Sequence, residues 1–279
     1  MGKVVFLDVD GTLLNSRHQM SARTCRAIEE LGRRGIAVVL ASARMPGAMQ
    51  AYHRRLHLET PMICYNGALI IVGQSGKRRV AQEHRISCSD ARQILERLRA
   101  WPCSISLYRD NLWYTEDAKD PWILAERAAT GLRPRFEKLD ALLQQWTRTG
   151  LGPHKLLCVG PAVMLDAVTL ALSAPTHSLK WVRSKSTYLE IMEKSASKAL
   201  AAAYVLGVLG SDPAHAIAVG DSENDLELIE MVGEGVAMGN APPWVQARAS
   251  QVTQSNDAEG LAIFLEQRFG LNPAHAEPL

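Results

Sequence analysis

Two kinds of apolar spacing alternate along this chain. Short unbroken runs stand at Val4-Val5-Phe6-Leu7, Ile36-Ala37-Val38-Val39-Leu40, Met62-Ile63-Cys64-Tyr65, Ala216-Ile217-Ala218-Val219 and Gly235-Val236-Ala237-Met238, the lengths and compositions expected of strands buried on both faces. Between them the spacing becomes helical. Ala22 to Arg34 places Ile28 and Leu31 on one face and charges on the other, and stops at Gly35. Further helices are predicted from Pro46 to about Leu56, Lys198 to Leu206, Asn224 to Met231 and Asp257 to Arg268. Asn66-Gly67 reads as a turn opening a short hairpin around Gly73 to Gly76, and the tail Asn272 to Leu279 as loose. Strands alternating with helices imply an α/β core, a Rossmann-like doubly wound parallel sheet with helices on both faces.

The texture changes in the middle. Here the pattern predicts a helix over 89–100, strands near 103–109 and 111–116, a helix over 119–129, then strand, helix, strand, helix and two more strands reaching Met192. The expected division is therefore a core of residues 1–81 and 187–279 interrupted by an inserted α+β domain at 82–186. Five of the six tryptophans (Trp101, Trp113, Trp122, Trp146 and Trp181) lie in this insert. They offer a stacking surface for a ligand, but large rings more often fill a small domain's core.

Composition narrows the partners. Of 279 residues 47% are apolar and 22% charged, enough for a full core and unlike a disordered chain. Lys and Arg total 31 against 29 acids, a formal charge of +2, so nucleic acid and membrane surfaces are not expected partners. The five cysteines are scattered without Cys-x-x-Cys spacing, as expected of reduced thiols in a cytoplasmic protein. Neither a signal peptide nor a membrane-spanning run is expected. No surface pattern decides between monomer and homodimer.

Several of the apolar runs end in polar groups suited to one reaction. Val4–Leu7 runs into Asp8-Val9-Asp10-Gly11-Thr12, so two carboxylates two residues apart share a side at the strand's carboxyl end, where open α/β sheets place their ligands. Alone, such a pair usually caps a turn. The second strand leads into Ser42-Ala43-Arg44, Lys198 opens a helix, and the strand at 216–219 ends in Gly220-Asp221-Ser222-Glu223-Asn224-Asp225. Singly, these too read as caps, turns and a solvated lysine. Jointly they supply what phosphoryl transfer asks for: a nucleophile, an acid/base, oxygen ligands for a cation, and donors for the phosphoryl oxygens. Asp8 can attack phosphorus, Asp10 can protonate the leaving alkoxide and then activate water, and Asp8, the Asp10 carbonyl and Asp221 can hold Mg²⁺, with Asp225 supporting from behind. Ser42, backbone N–H groups around Ala43, Lys198 and Asn224 can hold phosphate.

These segments resemble, in order, the four motifs of the haloacid-dehalogenase-like hydrolases. Tyr65-Asn66-Gly67-Ala68, Tyr188-Leu189-Glu190-Ile191, Ala237-Met238-Gly239-Asn240-Ala241 and Asn256 to Gly260 resemble the Cof-type subgroup, subclass IIB, and the likeness spans the whole core. The resemblance implies a magnesium-dependent phosphatase acting on a small phosphorylated metabolite such as a sugar phosphate, with Asp8 as nucleophile, Asp10 as acid/base, Asp221 as metal ligand, and a C2-type cap over the site. Two features depart from it. Ser42-Ala43-Arg44 stands where Thr-Gly-Arg is usual, and Ala43 reaches a positive φ less cheaply than glycine. Glu193-Lys194-Ser195-Ala196-Ser197 precedes Lys198 where Pro and Gly are common. A phosphomutase would use the same groups, with Arg109 and Arg183 as candidates for a second anion, and a non-catalytic sensor of a phosphorylated metabolite is a third reading.

Overall fold

Val4–Leu7 is buried along its whole length, and its side chains alternate between two clusters. Val5 and Leu7 join Val38, Leu40, Ile217 and Val219 on one side, while Val4 and Phe6 join Val39, Ala41, Ala216 and Ala218 on the other. Burial on both faces is why these strands read as continuous apolar runs. In the computed structural model, which describes residues 2–73, 77–172 and 178–271, they form the centre of an eight-stranded sheet. Its order is Gln251–Val252, Glu234–Ala237, Ala216–Gly220, Val4–Leu7, Ala37–Ala41, Met62–Cys64, Leu69–Val72 and Arg79–Glu83. The first six run parallel, Leu69–Val72 is antiparallel to Met62–Cys64, and Arg79–Glu83 is antiparallel to Leu69–Val72. Helices Ala22–Arg33 and Gly260–Phe269 cover one face through Ile28, Leu31, Leu261 and Leu265, and Lys198–Leu209 covers the other through Ala202, Val205 and Leu206. This is the doubly wound α/β core expected. The expected hairpin tip at 74–76 and the tail from 272 onward lie outside the described residues.

The middle of the chain builds a second sheet, in the order Leu179–Lys185, Tyr188–Glu193, Lys155–Val159, Ser104–Arg109, Leu112–Thr115 and Arg135–Phe136. Its strands alternate. Leu107, Leu156, Cys158, Leu189 and Ile191 pack under helices Cys88–Leu98, Leu139–Thr147 and Ala162–Leu172. Tyr108, Leu157, Val159 and Tyr188 face the opposite way, toward Met45, Ala48 and Tyr65, which follow strands of the large sheet. The boundary expected at 187 needs moving: Tyr188–Glu193 pairs with Leu179–Lys185 and with Lys155–Val159, so it belongs to the second sheet with its antiparallel neighbours. Likewise Arg79–Glu83 stays in the large sheet past residue 81. The chain changes sheets at 84–87 and 194–197.

Smaller differences have local causes. The helix expected from Asn224 begins at Leu226, because Asp225 Oδ2 accepts the backbone N–H groups of Asp221 and Ser222 and closes a tight turn first. The last helix likewise starts at Gly260, after the turn Asn256–Ala258. Gln251–Val252 and the one-turn helix Pro243–Gln246 are too short to leave a periodic signal. No described helix is long and apolar enough to cross a membrane.

Candidate active site

Parallel pairing brings the polar strand ends together. The Asp8 N–H donates to Val219 O at 3.0 Å, which sets Asp8 beside Gly220-Asp221, and the Ser42 N–H donates to Ile63 O at 2.9 Å. Asp8, Asp10, Ser42, Ala43, Asp221 and Asn224 all line one cavity of about 260 Å³ between the large sheet's loops and the open face of the second sheet. Lys198 and Asp225 lie buried behind it.

Lys198 enters at the first turn of its helix, which Ser197 caps by accepting from the Ala199 and Leu200 N–H groups at 3.1 and 3.4 Å. A buried cation at a helix N-terminus opposes the dipole. Two carboxylates offset this: Lys198 Nζ donates to Asp8 Oδ1 at 2.5 Å and to Asp225 Oδ1 at 2.6 Å. Burial favours the neutral amine, yet Asp225 and Asp8 outweigh it and raise the Lys198 pKa. One lysine does not neutralise its neighbours. Burial, together with the charges of Asp225 and Asp221, lifts the Asp8 carboxyl well above the usual range against the pull of Lys198. Burial and Asp225 push Asp221 up to about 7, with Lys198 and Thr12 opposing.

Such a cluster favours a cation. Ligand oxygens of Asp8, Asp221 and Asp225 lie within 4.8 Å of one another, and an all-oxygen donor set suits a hard divalent ion such as Mg²⁺. Asp225 is already committed, its Oδ1 to Lys198 and its Oδ2 to the N–H groups of Asp221 and Ser222, both at 3.1 Å. Asp8 and Asp221 are therefore the side chains that fit the ion. Asp221 is aimed by Thr12, whose hydroxyl donates to Oδ1 at 3.2 Å, and by Asn240, whose amide donates to Oδ2 at 3.1 Å and to Gly11 O at 3.0 Å. Gly11 is required twice over: its φ is +83°, and a Cβ there would stand 2.2 Å from Asp221 Oδ2.

Asp10 is held differently. Arg44 Nε and Nη2 donate to its two oxygens, each at 2.7 Å, and the guanidinium also donates to the Tyr52 hydroxyl at 3.2 Å. Burial would raise the Asp10 pKa, but the bonds and charge of Arg44 bring it below the ordinary carboxylate value. Ala43 is not among the residues with positive φ, so alanine in place of glycine carries no left-handed strain in this loop. Such strain sits elsewhere, at Tyr65 and Asn66, with φ of 52° and 53°. It is fixed by Tyr65 Oη donating to Asp110 O at 3.0 Å, by stacking of Tyr65 on His154 at 5.4 Å, and by the Asn66 N–H donating to Ser42 O at 2.9 Å.

The roof of the cavity brings in groups that the sequence motifs did not single out, among them Tyr108, Glu126, Lys155, Lys185 and the roles of Tyr188 and Glu190. Alternation along 155–159 and 188–193 was the available signal. The candidate anion-binding arginines are elsewhere. Arg109 lies over the Trp146 ring at 4.8 Å, and Arg183 donates to Asp166 at 2.8 Å; neither lines the cavity. None of the five tryptophans lines it either, and Trp113 and Trp146 are buried packing groups.

A family model for haloacid dehalogenase-like hydrolases matches residues 5–265. The chain belongs to that family. A Haemophilus influenzae relative is 33% identical over 270 residues, covering 96% of this chain and 99% of its own. A Cronobacter sakazakii protein named HMP-PP phosphatase is 28% identical over 249 residues, covering 88% of each chain. A crystal structure of a haloacid dehalogenase-like hydrolase from Bacteroides thetaiotaomicron superposes with a TM-score of 0.84 at 30% identity, covering 96% of this chain and 100% of that one. The Cof-type resemblance read from the motifs therefore holds, and the chain is a hydrolase of the phosphatase kind.

Proposed function

We propose that this haloacid dehalogenase-like hydrolase is a magnesium-dependent phosphatase that cleaves small phosphomonoesters, sugar phosphates or similar metabolites, through a phosphoenzyme on Asp8. The observation that carries the reading is the Lys198 ammonium shared between Asp8 and Asp225, with Asp221 in the same cluster. Lys198 occupies only Asp8 Oδ1, so the second oxygen is available to attack phosphorus in line with the leaving group. Asp10 delivers a proton to the departing alkoxide and in the second half-reaction takes one from the attacking water. The hold of Arg44 keeps Asp10 ionised for that second step. The proton that Asp10 takes from water in one turnover is the one it gives to the departing alkoxide in the next. Ser42, the backbone at Ala43, Lys198 and Asn224 bind the phosphoryl oxygens. Asp8, Asp221 and the Asp10 carbonyl would hold Mg²⁺, which supplies charge neutralisation at those oxygens. The polar roof suits a hydroxylated leaving group, and a cytoplasmic location agrees with reduced cysteines.

The test is phosphate release from a panel of phosphorylated sugars and of flavin and pyridoxal phosphates. Activity should require Mg²⁺ and vanish in Asp8→Asn, while the variant keeps its fold by circular dichroism. Unchanged turnover in Asp8→Asn would overturn the nucleophile, and label retained on an isomeric product rather than released would make the protein a mutase.

A further inference from the structure

One buried ion pair takes no part in the chemistry above. Lys155 and Glu190 stand on adjacent strands of the second sheet, both almost wholly enclosed, with Lys155 Nζ 3.4 Å from Glu190 Oε2. Burying such a pair is costly, so its remaining bonds indicate what it does. Lys155 Nζ crosses to the large sheet and donates to Ala43 O at 2.8 Å. That carbonyl shares a peptide unit with the Arg44 N–H, which donates to Ser42 Oγ at 3.2 Å. Because the unit is planar, fixing its oxygen fixes its N–H, and the Ser42 hydroxyl, once it has accepted there, keeps its own hydrogen for phosphate. Glu190 reaches the other phosphate-binding loop. Asn66 Nδ2 donates to Glu190 Oε2 at 3.0 Å, and Asn224 Nδ2 donates to Asn66 Oδ1 at 2.8 Å, which leaves the second amide hydrogen of Asn224 for phosphate. The Ser184 hydroxyl satisfies Glu190 Oε1 at 2.7 Å, and the Tyr108 ring faces the ammonium at 4.9 Å.

We propose that Lys155 and Glu190 are positioning residues: a single ion pair on the second sheet orients both Ser42 and Asn224, so the phosphate pocket is complete only when the two sheets meet as they do here. The inference rests on the phosphatase reading, but its test uses a ligand that never contacts the roof through a leaving group. Inorganic phosphate binding is measured by calorimetry and as product inhibition in wild type, Lys155→Met, Glu190→Gln and the double variant. Each single variant should bind phosphate roughly tenfold more weakly or worse, as expected for losing a hydrogen bond to a charged group. The double variant should be no worse than either single one, because the two residues act as a unit. It also leaves no unpaired buried charge, so it serves if a single variant does not fold. Lys155→Arg should recover part of the affinity. If folded variants bind phosphate as wild type does while KM for phosphorylated sugars rises, the pair contacts substrate and the positioning role is overturned. If wild type neither hydrolyses phosphomonoesters nor binds phosphate, the phosphatase reading itself falls.

Discussion

The floor of the cavity comes from the carboxyl ends of parallel strands, where Asp8, Ser42 and Asp221 each follow on an apolar run, whereas its roof comes from the open face of a largely antiparallel sheet, where Lys155, Leu157, Tyr188 and Glu190 occupy alternate positions. On the floor, backbone pairing dictates where each group stands: the Asp8 N–H bonded to Val219 O leaves Asp8 little choice of neighbour. On the roof, each side chain stands perpendicular to its sheet and can change without disturbing the strand that carries it. Groups that bind phosphate therefore suit the floor, where the Lys155–Glu190 pair reaches down to steady them, and the other roof groups are free to distinguish one leaving group from another. The difference also explains why a buried lysine and three carboxylates can persist on the floor, since each is tied to at least one partner from a distant segment.

The largest expected effect comes from breaking the floor. Lys198→Met removes the cation shared by Asp8 and Asp225, leaving two buried carboxylates to repel each other. Turnover should fall by about 10²–10³-fold or more for every substrate alike, as when a preorganised electrostatic donor is lost. Stability should drop by roughly 3–5 kcal/mol, the cost of orphaning a buried charge. Steady-state kinetics on a substrate panel and denaturant melts check both. A loss confined to a few substrates would break the distinction between floor and roof.

That distinction also governs how much was legible in the amino-acid sequence. The core sheet announced itself because strands buried on both faces leave unbroken apolar runs, and the floor residues because they stand immediately after those runs. Lys198 was legible only through its motif, since a lysine opening a helix looks solvated until Asp8 and Asp225 are seen around it. The clamp of Arg44 on Asp10 spans 34 residues and no local pattern encodes it. The roof was harder still. Tyr188 and Glu190 stood inside a recognised segment, but which face they present depends on the register with Lys155–Val159, and that pairing is set in three dimensions. For the same reason the boundary near 187 fell inside a hairpin instead of after it.

A smaller effect is expected on the roof. The Tyr188 hydroxyl donates to Glu126 Oε2, and both line the cavity. Tyr188→Phe leaves Glu126 without that donor and makes the wall less able to order a hydroxylated leaving group. KM should change by about tenfold or less, by different factors for different phosphorylated sugars, while inorganic phosphate affinity stays within about twofold of wild type, because the Tyr188 hydroxyl bonds Glu126 and not the groups that orient Ser42 and Asn224. A uniform loss across substrates would place Tyr188 with the floor.

The smallest effect separates stability from the site altogether. His53 is buried beside the large sheet, its Nε2–H donating to Thr60 O at 2.9 Å and its Nδ1 accepting from Arg78 Nη2 at 2.7 Å. Burial and then the Arg78 charge lower its pKa to about 4, with the Thr60 carbonyl opposing. An unfolded histidine titrates near 6.5, so below that pH the unfolded chain binds a proton that the native one refuses, and stability is lost as pH falls from about 6.5 toward 4. At pH 5 this amounts to about 1–2 kcal/mol, a few degrees of melting temperature for a chain of this size. His53→Gln should therefore melt lower than wild type at pH 7 yet lose less on going to pH 5. His154, at the junction of the two sheets, is also lowered to about 4, by burial and then by Arg85, so it adds to the acid sensitivity that remains in the variant. Equal losses in His53→Gln and wild type would mean that His53 takes up its proton in the native state, and the acid sensitivity would then belong to His154 and the junction instead of the large sheet.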